Sequence, residues 1–161
     1  MRLLNTHNAP ELKEFIGDDG DIPPYAILSH TWENDEEVTF QELSGPLAAA
    51  QKRGFLKIQK TCALAAQNGY SWAWVDTCCI DKQASAELSE AINSMFRWYQ
   101  NAAVCYVFLA DLDPAAELVT HLPNCRWFTR GWTLQELIAP SAVLFYDRYV
   151  EFIGKERWKV G

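Results

Sequence analysis

The chain has 161 residues and a formal net charge of −7, from 14 Lys and Arg against 21 Asp and Glu. Its 49% hydrophobic and 22% charged residues exclude a disordered chain, and its length suits one domain whose core folds without metals or disulfides. The acidic balance disfavours binding to nucleic acid or to a membrane surface, because phosphate contacts require clustered Lys and Arg. The chain also holds seven Trp, six Tyr and eight Phe, rings that either fill a core or line a site.

The sequence shows neither a signal peptide nor a membrane-spanning segment. Its longest apolar run covers residues 102–110, whereas a spanning helix needs about 20 residues. The five cysteines are odd in number and include no Cys-x-x-Cys pair, so reduced thiols are expected and a zinc site is not. We therefore expect a cytoplasmic protein that carries no metal and no resident cofactor.

An edge strand and a small helix from Pro10 to Ile16 are expected in an N-terminal extension, residues 1–24. Four short, nearly continuous apolar runs then predict strands covered on both faces. These runs span residues 25–29, 71–76, 103–109 and 142–146.

Helical spacing fills the intervals between the predicted strands. A short helix is expected within residues 33–54, and three longer ones are predicted from Phe55 to a stop at Gly69, from Leu88 to Tyr99, and from about Gly131 to Ile138 before Pro140. Alternating strands and helices are typical of a three-layer α/β domain with a mainly parallel sheet.

The predicted organisation is a single domain over residues 1–161. The α/β core covers residues 25–147, and a C-terminal segment, residues 148–161, follows the fourth strand closely. That ending fits either a small stand-alone protein or a truncated piece of a longer one.

Polar side chains follow the predicted strands at their carboxyl ends, where α/β sheets bind ligands. Because parallel strands end at one edge of the sheet, we expect these side chains to converge on a substrate site. The candidates are Ser29, His30 and Trp32 after the first strand, Asp76, Thr77, Cys78, Asp81 and Lys82 after the second, and Arg130, Trp132 and Glu136 around the third long helix.

Trp132 and Glu136 are four residues apart, so they share one face of a helix. A carboxylate beside an aromatic ring can hold ribose hydroxyls and stabilise a sugar cation, while the ring stacks on a planar base or leaving group. Arg130 and Lys82 are suited to a pyrophosphate.

Structural interpretations compete with each of these assignments. Glu136 also fits a capping box with Thr133, and a lone Trp132 also fits a core position. His30 fits a hydrogen-bonded structural group as well as a partner for a thiol nucleophile at Cys78 or Cys79. Asp76 and Asp81 fit either turn caps or metal ligands.

The aromatic residues divide by position in these patterns. Those within the strand runs are expected in the core, and those in the polar segments at the edge of the sheet. The predicted core rings are Trp72, Trp74, Tyr106 and Phe108, and the predicted edge rings are Trp32, Trp127 and Trp132.

Three ordered blocks of the sequence resemble the fungal heterokaryon incompatibility (HET) domain. They are residues 25–32 (YAILSHTW), residues 74–82 (WVDTCCIDK) with their continuation through residues 85–95, and residues 126–137 (RWFTRGWTLQEL). The opening residues 1–6 also resemble members of that family, so the similarity covers nearly the whole chain.

The resemblance implies a function that the residues alone do not. HET domains trigger cell death when genetically different fungal cells fuse, and they are regarded as distant relatives of TIR domains, which have a flavodoxin-like α/β fold. Many TIR domains cleave NAD⁺ at the nicotinamide–ribose bond with a glutamate in a Trp-x-x-x-Glu-like helix. By this similarity Glu136 is the catalytic residue, NAD⁺ is the substrate rather than a cofactor, and the other candidates bind it.

The resemblance further implies that self-association activates the domain and that an upstream regulatory domain or protein controls it. The alternative is a non-catalytic death-signalling adaptor that acts by oligomerisation or by recruiting a partner. In that case the three blocks form a core and an interaction surface.

Overall fold

The computed structural model describes residues 1–8, 11–17, 21–45, 49–113, 115, 118–149 and 151–157. The strands are β1 (Arg2–Asn5), β2 (Leu12–Glu14), β3 (Ala26–His30), β4 (Trp72–Trp74), β5 (Val104–Phe108), β6 (Ala142–Tyr146) and β7 (Phe152–Arg157). The helices are α1 (Phe40–Leu43), α2 (Arg53–Gln67), α3 (Asp76–Cys79), α4 (Ser85–Asn101), α5 (Leu118–His121) and α6 (Thr133–Ile138), with 3-10 turns at Leu122–Asn124 and Arg126–Thr129.

The strands form one seven-stranded mixed sheet in the order β2-β1-β4-β3-β5-β6-β7. The four central strands, β4, β3, β5 and β6, are mutually parallel, whereas β1, β2 and β7 add to the edges in antiparallel pairs. The predicted α/β class is confirmed. The antiparallel strand β7 at the C-terminal edge was not predicted.

Residues on β3 show why this strand lies at the centre of the sheet. All five of its residues are buried, as the continuous apolar run predicted for a strand covered on both faces. Helix α2 leads from β3 to its neighbour β4, and α4 leads from β4 across β3 to β5. Right-handed crossovers therefore place α2 on one face and α4 on the other, where α4 contacts α6.

Helix α2 ends as its sequence predicts. Gly69 has a φ of 83°, a conformation that glycine adopts without steric cost. The N–H groups of Tyr70 and Gly69 donate to the carbonyls of Ala65 and Ala66 at 2.8 and 3.0 Å, the pairing of a Schellman motif. This local signal sets the end of the helix and directs the chain into β4.

The predicted helix from Pro10 to Ile16 is wrong: residues 12–14 form strand β2, while Pro10 lies outside the described residues. Leu12 pairs with Leu4 of β1, and the N–H of Phe15 donates to the carbonyl of Met1 at 2.8 Å. Pairing with an available strand edge outweighs a weak local helical pattern. The edge strand expected in this extension is present as β2, and β1 lies between β2 and β4.

The predicted strand over residues 71–76 ends earlier than expected. Its last residues turn into the short helix α3, in which the N–H of Cys79 donates to the carbonyl of Val75 at 2.8 Å. The third long helix also starts later, at Thr133, because Arg126–Thr129 takes a separate 3-10 turn.

In the described part of the chain, no helix is long and apolar enough to cross a bilayer.

Leu28 gives a direct test of the central strand. Its side chain is fully buried in the middle of β3, so Leu28→Ala should lower the free energy of unfolding by about 2–5 kcal/mol. Leu134 is 67% exposed on α6, and Leu134→Ala should change stability by no more than about 0.5 kcal/mol. Urea unfolding measures both losses, and equal losses would contradict this placement of β3.

Candidate active site

A cleft of about 470 Å³ opens at the carboxyl ends of β3 and β4, beside α6. Its polar lining includes six of the predicted site residues: Trp32, Asp76, Lys82, Arg130, Trp132 and Glu136. Leu88, Ile92 and Met95 of α4 form an apolar wall. The volume lies within the range of about 300–1,000 Å³ that is usual for small-molecule sites.

Glu136 lies at the floor of the cleft and is only 3% exposed. Ser29 of β3 donates its hydroxyl to Glu136 Oε2 at 2.5 Å, and Trp127 Nε1–H donates to Ser29 Oγ at 2.6 Å. The indole, the hydroxyl and the carboxylate thus form a buried chain that fixes the position of the carboxyl group. A buried charge requires partners of this kind, because it has lost its hydration.

Arg130 completes the coordination of this carboxylate. Its Nη1 and Nη2 donate to Oε2 and Oε1 of Glu136, each at 3.0 Å, which is the bidentate fork that guanidinium groups make with carboxylates. The two partners differ in exposure: the Arg130 side chain is 21% exposed and that of Glu136 is 4% exposed. The guanidinium is therefore the more accessible member of the pair, and both side chains line the cleft.

The capping-box interpretation of Glu136 does not describe its side chain. Trp132 takes the N-cap position of α6 without a side-chain capping bond, and the hydroxyl of Thr133 donates to the carbonyl of Trp127. Both carboxylate oxygens of Glu136 face Arg130 and Ser29 instead. Tertiary contacts, and not the local capping pattern, therefore determine where this side chain lies.

A second carboxylate, Asp76, anchors the opposite end of the cleft. Its Oδ1 lies 3.0 Å from His30 Nε2, and its Oδ2 accepts from Trp32 Nε1–H at 2.9 Å. On the far side of the imidazole, Lys57 Nζ lies 3.4 Å from Nδ1. An ammonium only donates, so in the neutral ring Nδ1 accepts and Nε2–H donates to Asp76.

Charge and burial compete at Asp76 and Lys82. Burial raises the pKa of Asp76, but the hydrogen bond and electrostatic attraction of His30, the charge of Lys82 and the Trp32 hydrogen bond outweigh it and hold that pKa below its usual value. Burial lowers the pKa of Lys82, although Asp76 and Glu37 oppose the shift. Lys82 Nζ lies 3.6 Å from the centroid of the Trp32 ring, a cation–π contact.

Five predicted site residues do not line the cleft. Ser29 and His30 are buried behind it on opposite faces of β3, because adjacent strand residues alternate. Thr77 and Cys78 are buried in α3. Asp81 accepts from Gln41 Nε2 at 2.6 Å, away from the cleft.

The interpretation of Cys78 as a nucleophile has no support in this geometry. Burial raises the pKa of the Cys78 thiol well above its usual value, and only the thiolate is an effective nucleophile.

The expected rim position of Trp127 is also wrong, since this ring is fully buried and packs edge-on against Phe128 and Phe145. Of the predicted core rings, Trp74, Tyr106 and Phe108 are buried and Trp72 is half-buried.

Sequence reasoning missed one polar group of the cleft, Thr31. It is buried, and its hydroxyl oxygen has no hydrogen-bond partner among the described residues. Its place between His30 and Trp32 was the available signal.

Over the described ranges, no cluster of three or more His, Cys, Asp or Glu side chains is arranged to hold a metal ion.

The lowered pKa of Asp76 predicts a pH-dependent stability difference. A carboxylate with a depressed folded-state pKa stabilises the protein above its unfolded value of about 3.9, and this contribution is lost as the pH falls through the folded value. Asp76→Asn should therefore be less stable than the wild type by about 1–3 kcal/mol near neutral pH, with the gap narrowing below about pH 4. Urea unfolding across this range tests it. The control is Glu11→Gln at an exposed carboxylate. A stability difference between Asp76→Asn and the wild type that widened on acidification would contradict the lowered pKa of Asp76.

Comparisons with known proteins identify relatives of this chain. A family model described as "Heterokaryon incompatibility protein (HET)" matches residues 25–122, a range that includes Thr31, Trp32, Asp76 and Lys82. The vegetative incompatibility protein HET-E-1 of Podospora anserina is 49% identical over 165 aligned residues. That alignment covers 96% of this chain but only 12% of the relative, so the chain spans about an eighth of that protein's length.

No solved structure matches the chain. The family model nevertheless covers more than half of the residues, and the similarity to the curated relative extends over nearly all of them. The chain therefore belongs to the heterokaryon incompatibility (HET) family.

Proposed function

We propose that this chain is a cell-death effector of fungal non-self recognition and that it cleaves NAD⁺ at the nicotinamide–ribose bond after self-association. Membership of the HET family and similarity to a vegetative incompatibility protein support the role in incompatibility. The proposed setting is the cytoplasm, under an upstream regulatory domain or protein.

The order of the parallel strands supports a flavodoxin-like and TIR-like relationship. Numbered along the chain, the four parallel strands β3, β4, β5 and β6 lie in the order 2-1-3-4, as at the start of a flavodoxin-like sheet. In such sheets ligands bind at the carboxyl ends of the strands near the point where the order reverses. The cleft beside β3 lies at that edge.

The observation that carries the proposal is the buried Glu136 carboxylate at the floor of a cleft with exposed Trp rings. In the proposed reaction Glu136 holds ribose hydroxyls and stabilises the positive charge that develops at the anomeric carbon. The N-glycosidic bond breaks with its electron pair on nicotinamide, which leaves as a neutral molecule. Water then adds to the anomeric carbon and loses a proton, giving ADP-ribose; attack by the adenine ring instead gives a cyclic product.

The side chains around Glu136 have complementary parts in this scheme. Ser29 and Trp127 position the carboxylate from behind, where neither reaches the substrate. Trp132 is 47% exposed and offers a face on which the nicotinamide ring stacks. Arg130 and Lys82 supply positive charge for the pyrophosphate.

Glu136→Gln tests the catalytic assignment. The amide keeps the size of the side chain but lacks the negative charge, so nicotinamide release from NAD⁺ should fall at least about 100-fold. Release is measured by chromatography on concentrated or artificially clustered protein. Glu90→Gln, at an exposed carboxylate of α4, is the matched control and should keep wild-type activity.

Folding of the Glu136→Gln variant is checked by thermal unfolding, because Arg130 loses its charged partner there. A folded variant that released nicotinamide at the wild-type rate would overturn the proposed mechanism. If the wild type released no nicotinamide in any state of assembly, the enzymatic function would be overturned.

A non-catalytic death-signalling adaptor is the second candidate, and two observations favour it. Arg130 and Ser29 already occupy both oxygens of Glu136, as in a purely structural ion pair. Exposed apolar side chains project from α4 and α6 and could contact another copy or a partner: Ile92, Phe96, Leu134 and Ile138.

Killing assays separate the two candidates. For an enzyme, Glu136→Ala should abolish cell death when the domain is expressed in a fungal host. For an adaptor, Glu136→Ala should still kill, whereas Leu134→Asp with Ile138→Asp, both at exposed positions, should not. The protein level of each variant is measured alongside, so that loss of death is not mistaken for loss of protein.

A further inference from the structure

The two cations of the cleft are both engaged with groups that a bound nucleotide would need. The Arg130 guanidinium covers the two oxygens of Glu136, each at 3.0 Å. The Lys82 ammonium lies 3.6 Å from the centroid of the Trp32 ring. In the free protein, one cation therefore masks a carboxylate and the other masks a stacking surface.

The two ends of the cleft repeat the same three chemical groups. One end has Glu136 and Arg130 with Trp132, and the other has Asp76 and Lys82 with Trp32. Both Trp rings are 47% exposed. A carboxylate for sugar hydroxyls, a ring for a base and a cation for phosphate suit one nucleotide half at each end.

We propose that the pyrophosphate of a dinucleotide unmasks this site, by drawing Arg130 away from Glu136 and Lys82 away from Trp32. The nicotinamide half then lies against Trp132 and Glu136, and the adenosine half lies against Trp32 and Asp76. The identity of the dinucleotide rests on the proposed NAD⁺ cleavage, whereas binding of a nucleoside diphosphate does not.

Exposure decides which partner of each pair moves. Arg130 is more exposed than Glu136, and Glu136 keeps its hydrogen bond from Ser29 when the guanidinium leaves. Trp32 is likewise tethered through its Nε1–H to Asp76, whereas Lys82 is held by its contact with the face of the ring and by electrostatic attraction to Asp76 and Glu37. Both cations are therefore the movable members. A diphosphate offers Lys82 charge-assisted hydrogen bonds that the ring face does not, and it offers Arg130 a fork of the same kind as the one with Glu136.

An oxidised nicotinamide suits the Glu136 carboxylate once Arg130 has left, because it restores the charge balance. When Arg130 leaves, Glu136 is a buried anion without a cationic partner, which is costly. The nicotinamide ring of NAD⁺ carries a positive charge and replaces the guanidinium, whereas the ring of NADH is neutral. The site should therefore prefer the oxidised dinucleotide.

Thr31 is a further polar group available to the adenosine half. Its buried hydroxyl oxygen lines the cleft beside Trp32 and has no partner within the described structure. Such a group is costly to leave unpaired. A ribose hydroxyl or a phosphate oxygen of the adenosine half would satisfy it once Lys82 has moved.

Calorimetric titration with ADP tests the proposal without any turnover. ADP should bind the wild-type protein more tightly than adenosine does, and Lys82→Ala should weaken ADP binding at least about tenfold, the loss of one charge-assisted contact. Lys13→Ala is the matched control, because Lys13 also lies over a Trp ring, at 5.7 Å from the centroid of Trp72, but outside the cleft. It should leave ADP binding unchanged.

Arg130→Lys is the second variant, since it keeps a positive charge near Glu136 and loses only the fork. It should also weaken ADP binding, with the folded state checked by thermal unfolding. Equal affinities for ADP and adenosine, no ADP binding at all, or an unchanged affinity in Lys82→Ala would overturn the unmasking.

Substrate comparison separates this inference from the proposed function. Nicotinamide riboside contains the scissile bond but no phosphate, so it should release nicotinamide far more slowly than NAD⁺ does. Equal release from both would leave NAD⁺ cleavage standing and overturn the unmasking. ADP binding that depends on Lys82, with no cleavage of NAD⁺, would uphold the unmasking and overturn the enzymatic function.

Discussion

A buried carboxylate imposes a strict requirement on the structure around it, and Glu136 has that requirement met from three separate segments. Ser29 lies on the central strand β3, Trp127 on a 3-10 turn, and Arg130 on the loop before α6. Removing any one partner leaves a polar group unpaired in the interior, which costs more than the contact itself contributes. The C-terminal third of the chain is thereby held to the middle of the sheet at a defined distance and angle.

The second carboxylate, Asp76, extends the same principle to the other face. His30 follows Ser29 in β3 but points the opposite way, toward α2, where Lys57 and Glu37 form an ion pair at 2.5 Å. His30 lies between Lys57 and Asp76, with Nδ1 facing Lys57 and Nε2 facing Asp76. Asp76 in turn accepts from Trp32 Nε1–H and so orients that ring at the rim of the cleft. Two adjacent residues of one strand thus support the two ends of a single cleft, and the cleft depends on both helical layers.

Much of the fold was readable from local pattern. The four parallel strands appear as continuous apolar runs, and the end of α2 follows from Gly69, since both signals act over a few residues. The failures arose where distant segments decided the outcome. Residues 12–14 pair with β1, and Trp127 packs into the interior beneath α6 because its Nε1–H finds Ser29, 98 residues away. No local pattern reports such a partner.

The sequence by itself determined the α/β class, the family and the chemical groups at the edge of the sheet, because periodicity and ordered motifs are properties of the chain. Only the tertiary structure decided how those groups divide into cleft and support. Ser29 and His30 became supports behind the cleft, Thr77 and Cys78 became core, and Trp32 stayed exposed. The physical reason is that burial and hydrogen bonding depend on which segments meet, and strand pairing across the sheet sets those meetings.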